Sequence, residues 1–371
     1  MQLFKLNTQI SRFESFADFS RAFQLCDQDL IITNAFLYDP FMKQLNLPCH
    51  VIFQENFGQG EPTDIMINAM LQHASILSFN RVIAVGGGTV IDVAKLFVLN
   101  NVEDVVQAFE RKIPLLKQKQ LVVVPTTCGT GSEVTNITIA ELTTKQTKMG
   151  LADDALLPDH AVLIPEFLKG LPFRFYAASA IDALIHAVEA YVSPKANGYT
   201  KLFSQAAIEI ILRVFEGIAA KGQDYRLESL EEMLMASNFA GIAFGNAGVG
   251  AVHALSYPLG GNYHVPHGEA NYQLFTAVFR KYKEKKPVGA IQQLNQILAG
   301  LLSVSQEQVY DKLDELLGVM MEKQPLRDYG MQPAECQEFA DSVLEKQTRL
   351  LANNYEPLTR DEIIGIFQSL Y

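Results

Sequence analysis

His253, His264 and His267, three of the seven histidines in the chain, fall in the run GNAGVGAVHALSYPLGGNYHVPHG from Gly245 to Gly268, which is otherwise mostly small or apolar. Upstream, SAIDALIHAVEAYVS sets Asp182 and His186 at i,i+4 spacing, so a helix there carries a carboxylate and an imidazole on one face. Polar groups in apolar surroundings are costly unless paired or coordinated, and one divalent metal would satisfy several of them together. Nitrogen and oxygen donors without thiolate suit Fe(II) or Zn(II) and argue against Mg(II) or Ca(II). A lone histidine on an apolar helix is ordinarily a hydrogen-bonded core residue, and D-x-x-x-H recurs in helices by chance. The combination of the two groups is what points to a metal.

Two glycine-bearing stretches could bind a nucleotide. In RVIAVGGGTVIDVAK, a strand-like run ends in Gly86, Gly87 and Gly88, ahead of a helical pattern that carries Thr89 and Asp92. Glycines let backbone approach a pyrophosphate, and a helix N-terminus offers free N–H groups with a favourable dipole. The spacing is not G-x-G-x-x-G, and a tight ligand-free turn would read the same way. In VVVPTTCGTGSEVT, the hydroxyls of Thr126, Thr127, Thr130 and Ser132 follow a second apolar run, as they would in a helix-capping loop. Two such cradles together favour a dinucleotide.

These stretches need a scaffold. DLIITNAF, PCHVIFQE, RVIAVGGG and QLVVVPTT read as buried strands, with helical patterns such as TDIMINAMLQHASIL and TVIDVAKLFVLN between them. Alternation of this kind predicts an α/β unit with a mostly parallel sheet, binding ligands beyond the carboxyl ends of its strands. Past about Pro165 helical periodicity takes over, in TKLFSQAAIEIILRVFEGIAA, SLEEMLMASNFAGIAF and AIQQLNQILAGLL among others, predicting an all-α second unit. The expected boundary places an α/β dinucleotide-binding domain at 1–165 and an all-α metal-binding and catalytic domain at 166–371.

Composition limits the alternatives. A chain of 371 residues, 49% hydrophobic and 19% charged, can bury a sizeable core and suits two domains. Its net charge of −11 speaks against nucleic-acid binding. Cys26, Cys49, Cys128 and Cys336 are scattered, without C-x-x-C, and read as reduced thiols. The start, MQLFKLNTQISRFESF, has no basic stretch followed by an apolar core, so a cytoplasmic location is expected. The apolar run from Ala240 to Gly261 contains Asn246, His253, Pro258 and many glycines, which predicts a buried helix and a turn and argues against a membrane span.

GGGTVIDVAK, PTTCGTGSEVT, DALIHAVEAYVS and HALSYPLGGNYHVPHG, in this order, resemble the motifs of the iron-containing (group III) alcohol dehydrogenases. The resemblance spans nearly the whole chain. It implies the dehydroquinate synthase-like fold, with the active site in a cleft between the two domains, and NAD and a divalent metal as cofactors, Fe(II) first and Zn(II) second. It also implies a homodimer. By resemblance, the metal ligands fall on Asp182, His186, His253 and His267, which leaves His264 outside the set. Gly86, Gly87, Gly88, Thr89 and Asp92 fall at the pyrophosphate, Thr126, Thr127, Thr130 and Ser132 near the nicotinamide, and Lys148 of QTKMGL on a lysine that contacts the cofactor.

Within the family, LIITNAFLYDPF and LANNYEPLTRDEI extend the resemblance towards a branch acting on a short ω-hydroxy acid or its semialdehyde, the implied pair being 4-hydroxybutyrate and succinic semialdehyde. A primary alcohol or a diol is the alternative substrate, and a silent nucleotide-binding assembly protein the alternative outside enzymes. The glycerol dehydrogenase and dehydroquinate synthase branches match PTTCGTGSEVT and the one-Asp, three-His spacing less well. Two departures stand out. Where many relatives have an Asp that bonds the adenosine ribose, this chain has Asn34, which lacks the charge that repels a 2′-phosphate. Where they have a second His four residues after the third ligand, proposed as a proton carrier, it has Tyr257. Tyr257 and His264 are therefore the candidates for proton transfer, with substrate positioning as the other role for each.

Overall fold

The computed structural model describes every residue except Met1, Asn101 and Gln146. The chain divides into two compact units, Leu6–Leu171 and Pro172–Tyr371, with the N-terminal residues through Lys5 grouped with the second.

Among the described residues the first unit has eight strands: β1 (Gln9–Arg12), β2 (Asp29–Thr33), β3 (His50–Phe53), β4 (Arg81–Gly86), β5 (Gln120–Pro125), β6 (Ile137–Leu142), β7 (Thr147–Ala152) and β8 (His160–Leu163). Six of them form a sheet in the order β1-β8-β5-β4-β2-β3, every neighbouring pair parallel. DLIIT is buried throughout, and so is LVVVP after Gln120, because helices cover both faces and a continuous apolar run is stable only there. The chain leaves β2 outward to β3, then returns to the other side of β2 for β4 and proceeds through β5 to β8. The direction of winding thus reverses between β2 and β4, the kind of crevice in which doubly wound sheets bind ligands.

Two features go beyond the sequence reading. β1 and β8 extend the sheet at one edge with four residues each, and β6 and β7 form a separate antiparallel hairpin. The β6 residues alternate between partly buried and buried, as a two-stranded ribbon with one covered face requires.

The second unit is all helical. Its central helix, Phe173–Val192, is buried along its last three turns, from Ala180 to Val192. The apolar run from Ala240 to Gly261 is split between the helices Leu230–Ala247 and Ala251–Tyr263, which meet at 104°. Among the described residues, no single helix is long and apolar enough to cross a membrane. The turn falls before His253. Gly248 makes it with φ of 78°, where a Cβ would stand 2.4 Å from Asn353 Nδ2, and that amide donates to Val249 O at 3.0 Å. The LANNY segment near the end of the chain therefore pins the turn from which the His253 helix starts.

Candidate metal centre and nucleotide cradle

Asp182, His186, His253 and His267 each offer one donor atom, and the four atoms lie within 4.8 Å of one another. Asp182 and His186 stand one turn apart on the central helix. His253 comes from the first turn of Ala251–Tyr263, and His267 opens the helix His267–Lys285. The first three are buried and His267 is partly open. Gly268 sets the last of these helices against the first: a Cβ there would stand 2.3 Å from Ala178 O and 3.3 Å from Asp182 Cβ, so only glycine lets the two backbones close.

The imidazoles approach the Asp182 carboxylate without bonding it. His253 Nε2 lies 3.7 Å from Oδ1, His267 Nε2 3.9 Å from Oδ1, and His186 Nδ1 3.9 Å from Oδ2. Two donors each about 2.1 Å from a shared tetrahedral ion stand roughly 3.4 Å apart, so these spacings suit coordination better than hydrogen bonding. His253 supplies the sharpest test. Its Nδ1 is 2.6 Å from Glu189 Oε2, while its buried Nε2 has no hydrogen-bond partner among the described residues. Leaving such an atom unsatisfied is costly, and a metal removes the cost. The donor set, one carboxylate and three imidazoles, fits Fe(II) or Zn(II).

Burial pushes the Asp182 carboxyl up, but His186, His267, His253 and the Asn271 amide outweigh it and hold the group below its ordinary range. Asn271, one turn after His267, donates to Asp182 Oδ1 at 2.7 Å.

Glu189 escaped the sequence reading. It is almost fully buried, accepts from Val252 N at 2.8 Å and holds His253 Nδ1, which fixes the tautomer that turns the Nε2 lone pair inward. Its place one turn beyond His186 in D-x-x-x-H-x-x-E was the available signal. Glu189→Gln should lower metal affinity roughly 10–100-fold, measured by chelator competition with Zn(II), while the melting temperature moves little. An unchanged affinity would remove Glu189 from the site.

Tyr257 lies one turn after His253 on the same helix and is partly buried; His264 follows the end of that helix, exposed, with a left-handed φ of 54°. His264 is not part of the donor cluster.

In the sheet unit the two glycine-bearing loops abut. β4 and β5 pair from Arg81 to Gly86, and Thr126 N donates to Gly86 O at 3.1 Å. A Cβ on Gly87 would stand 3.5 Å from Thr127 Cγ2, and one on Gly88 3.1 Å from Thr130 Cγ2. Gly87 caps the helix Gly88–Phe97, whose first-turn amides have no helical partner. Thr89 Oγ1 donates to Gly60 O at 3.0 Å.

The polar side chains expected around the cofactor are largely engaged within the protein. Asp92 accepts from Ser132 Oγ at 2.8 Å and from Ile139 N at 3.0 Å, and burial raises its carboxyl above the ordinary range. Lys148 is paired with Glu61 at 2.5 Å. Asn34 caps the helix Ala35–Phe41 and donates to Glu55 Oε2 at 2.7 Å. Lys95, which the sequence reading passed over, is fully buried. Its Nζ donates to Ser132 Oγ at 2.6 Å, Thr135 Oγ1 at 3.2 Å and Ile137 O at 2.6 Å, tying the hydroxyl loop to the helix.

Fold and site together define a class: a doubly wound sheet with a glycine cradle, and a helical unit with a centre of one carboxylate and three imidazoles. Residues 5–165 match the family described as iron-containing alcohol dehydrogenase, and residues 176–371 match the C-terminal domain of the Fe-containing alcohol dehydrogenase family. The chain belongs to the iron-containing alcohol dehydrogenase family.

Among curated relatives, 4-hydroxybutyrate dehydrogenase of Clostridium kluyveri is 52% identical over 371 residues, covering all of both chains. Long-chain-alcohol dehydrogenase 1 of Geobacillus thermodenitrificans is 35% identical over 79% of this chain and 75% of its own. The crystal structure of sulfoacetaldehyde reductase from Bifidobacterium kashiwanohense in complex with NAD+ shares the fold, with a TM-score of 0.85 and 20% identity over 100% of this chain and 99% of that one.

Proposed function

We propose that this protein is an NAD-dependent dehydrogenase that interconverts 4-hydroxybutyrate and succinic semialdehyde. The observation that carries this reading is the full-length 52% identity to the Clostridium kluyveri enzyme, joined to a donor cluster in which the His253 Nε2 lone pair has no other use.

When bound, a divalent ion supplies Lewis acidity at the alcohol or carbonyl oxygen, and NAD supplies the hydride acceptor. Asp182, His186, His253 and His267 hold that ion. Glu189 orients His253, and Asn271 steadies the Asp182 carboxylate. The amides that open the helix Gly88–Phe97 receive the pyrophosphate, with Thr127 and Thr130 beside them. Asp92, Lys95 and Ser132 act one step back, keeping the hydroxyl loop in place.

Tyr257 and His264 carry the proton between substrate oxygen and water. Tyr257→Phe and His264→Ala, compared across pH, should each shift the pH–rate profile. Profiles that superimpose on wild type in both variants would exclude them from proton transfer.

The reading extends to a cytoplasmic homodimer, in keeping with four cysteines none of which is in a disulfide. Light scattering on the purified protein checks the dimer. The function is tested by NADH oxidation with succinic semialdehyde and NAD reduction with 4-hydroxybutyrate, using protein loaded with Fe(II) or Zn(II). A clear preference for the ω-hydroxy acid over butanol and 1,3-propanediol is expected. Equal rates on all three would shift the assignment to a general primary alcohol or diol dehydrogenase, and no turnover despite bound metal would leave the silent nucleotide-binding alternative.

A further inference from the structure

Asn34 and Glu55 lie beside the crevice where the winding of the sheet reverses. β2 ends at Thr33 and β3 at Phe53, and these residues are register partners in a parallel pair. The segments that follow therefore emerge side by side at the carboxyl end of the sheet, next to β4 with its Gly86–Gly88 turn. In doubly wound folds that bind NAD, an acidic residue about here bonds the adenosine ribose and repels a 2′-phosphate. This chain has the neutral Asn34 at the strand end.

The carboxylate is nevertheless present, one strand over. Glu55 Oε2 accepts from Asn34 Nδ2 at 2.7 Å, and Glu55 Oε1 accepts from Ala35 N at 2.6 Å. Asn34 Nδ2 also donates to Gln54 Oε1 at 3.2 Å, so the amide nitrogen is committed to the β3 side. Asn34 Oδ1 makes no hydrogen bond among the described residues, and neither does any basic side chain among them pair with Glu55. The juxtaposition offers a neutral acceptor and an unneutralised carboxylate held together, matching the two donors of a ribose diol.

We infer that Glu55, held by Asn34, is the residue that selects NAD over NADP, replacing the strand-end carboxylate with one supplied from the turn that follows β3. The inference rests on the NAD-dependent reading above. A 2′-phosphate brought to Asn34 would meet the Glu55 charge at close range, whereas a 2′-hydroxyl would donate to it.

The test is direct binding, followed by the fluorescence of NADH and NADPH on the metal-loaded protein. Wild type should bind NADH and discriminate against NADPH. Glu55→Gln keeps an acceptor for Ala35 N but removes the charge, and should narrow the NADH-to-NADPH affinity ratio by roughly tenfold. Adding Asn34→Asp to Glu55→Gln should restore the ratio. An unchanged ratio in Glu55→Gln overturns the inference, as does a wild type that binds both cofactors alike.

Should Glu55→Gln fail to fold, wild type still decides through AMP and adenosine 2′,5′-bisphosphate as probes. Salt screens a charge repulsion, so the disadvantage of the bisphosphate should shrink as ionic strength rises. A ratio independent of salt contradicts exclusion by charge. Wild type that binds no NADH at all would instead defeat the NAD-dependent reading itself, a result separable from the others.

Discussion

His267→Ala is expected to yield a folded protein that binds NADH as wild type does, contains little metal and turns over at least roughly a thousandfold more slowly, the loss that corresponds to about 4 kcal/mol of barrier. His267 is the ligand to remove because it is the least buried of the four and opens its helix, so its truncation leaves the core largely intact. Asp182 keeps the Asn271 amide in the variant, and His253 keeps Glu189. Metal content by elemental analysis, NADH binding by nucleotide fluorescence and turnover are the three measurements. The absence of Trp leaves the NADH signal free of indole emission. Full activity with full metal content would refute the ligand set.

Gly88→Leu carries the second large effect, and here the fold should survive while the cofactor is lost. A Cβ at Gly88 stands 3.1 Å from Thr130 Cγ2, tight but against the tip of one side chain, and the rest of a leucine would extend over the amides that open the helix. NADH affinity should fall roughly a hundredfold, about 2.7 kcal/mol, with a melting temperature within a few degrees of wild type. Gly86→Ala is the contrasting control. Its Cβ would meet Val90 Cβ at 2.5 Å, between strand and helix, so it should damage stability first. Unchanged NADH affinity in Gly88→Leu would refute the phosphate cradle.

IITNAF, VIAVGG and VVVPTT announced the central strands because residues covered on both faces must be apolar without interruption. Asp182 and His186 were legible because one helical turn separates them, and His253 and His267 because histidines are rare in such apolar company. The β6–β7 hairpin was not, since TIAEL and TKMGLA mix Thr, Glu, Gly and Lys on a half-covered ribbon. Glu189, despite its place one turn beyond His186, reads as an ordinary helical glutamate until its bond to His253, contributed by a distant helix, shows its role. Lys95 was hidden in the same way: a helix lysine reads as solvent-facing, whereas this one is capped by Ser132, Thr135 and Ile137 O. Gly268 could not be distinguished from the other glycines of its segment without the carbonyl of Ala178 against it.

The enclosure of Lys95 has a practical consequence. Burial pushes its ammonium down to about 8, against the pull of Asp92 and Glu133, so a larger share of this amine is uncharged near neutral pH than for an ordinary lysine. Sealed from solvent, it is out of reach of an acylating reagent and can be labelled only while the hydroxyl-bearing loop is open. The labelling rate of this one amine, read by mass spectrometry, thus serves as a clock for the opening of that loop, and a dinucleotide that clamps the loop shut should slow it.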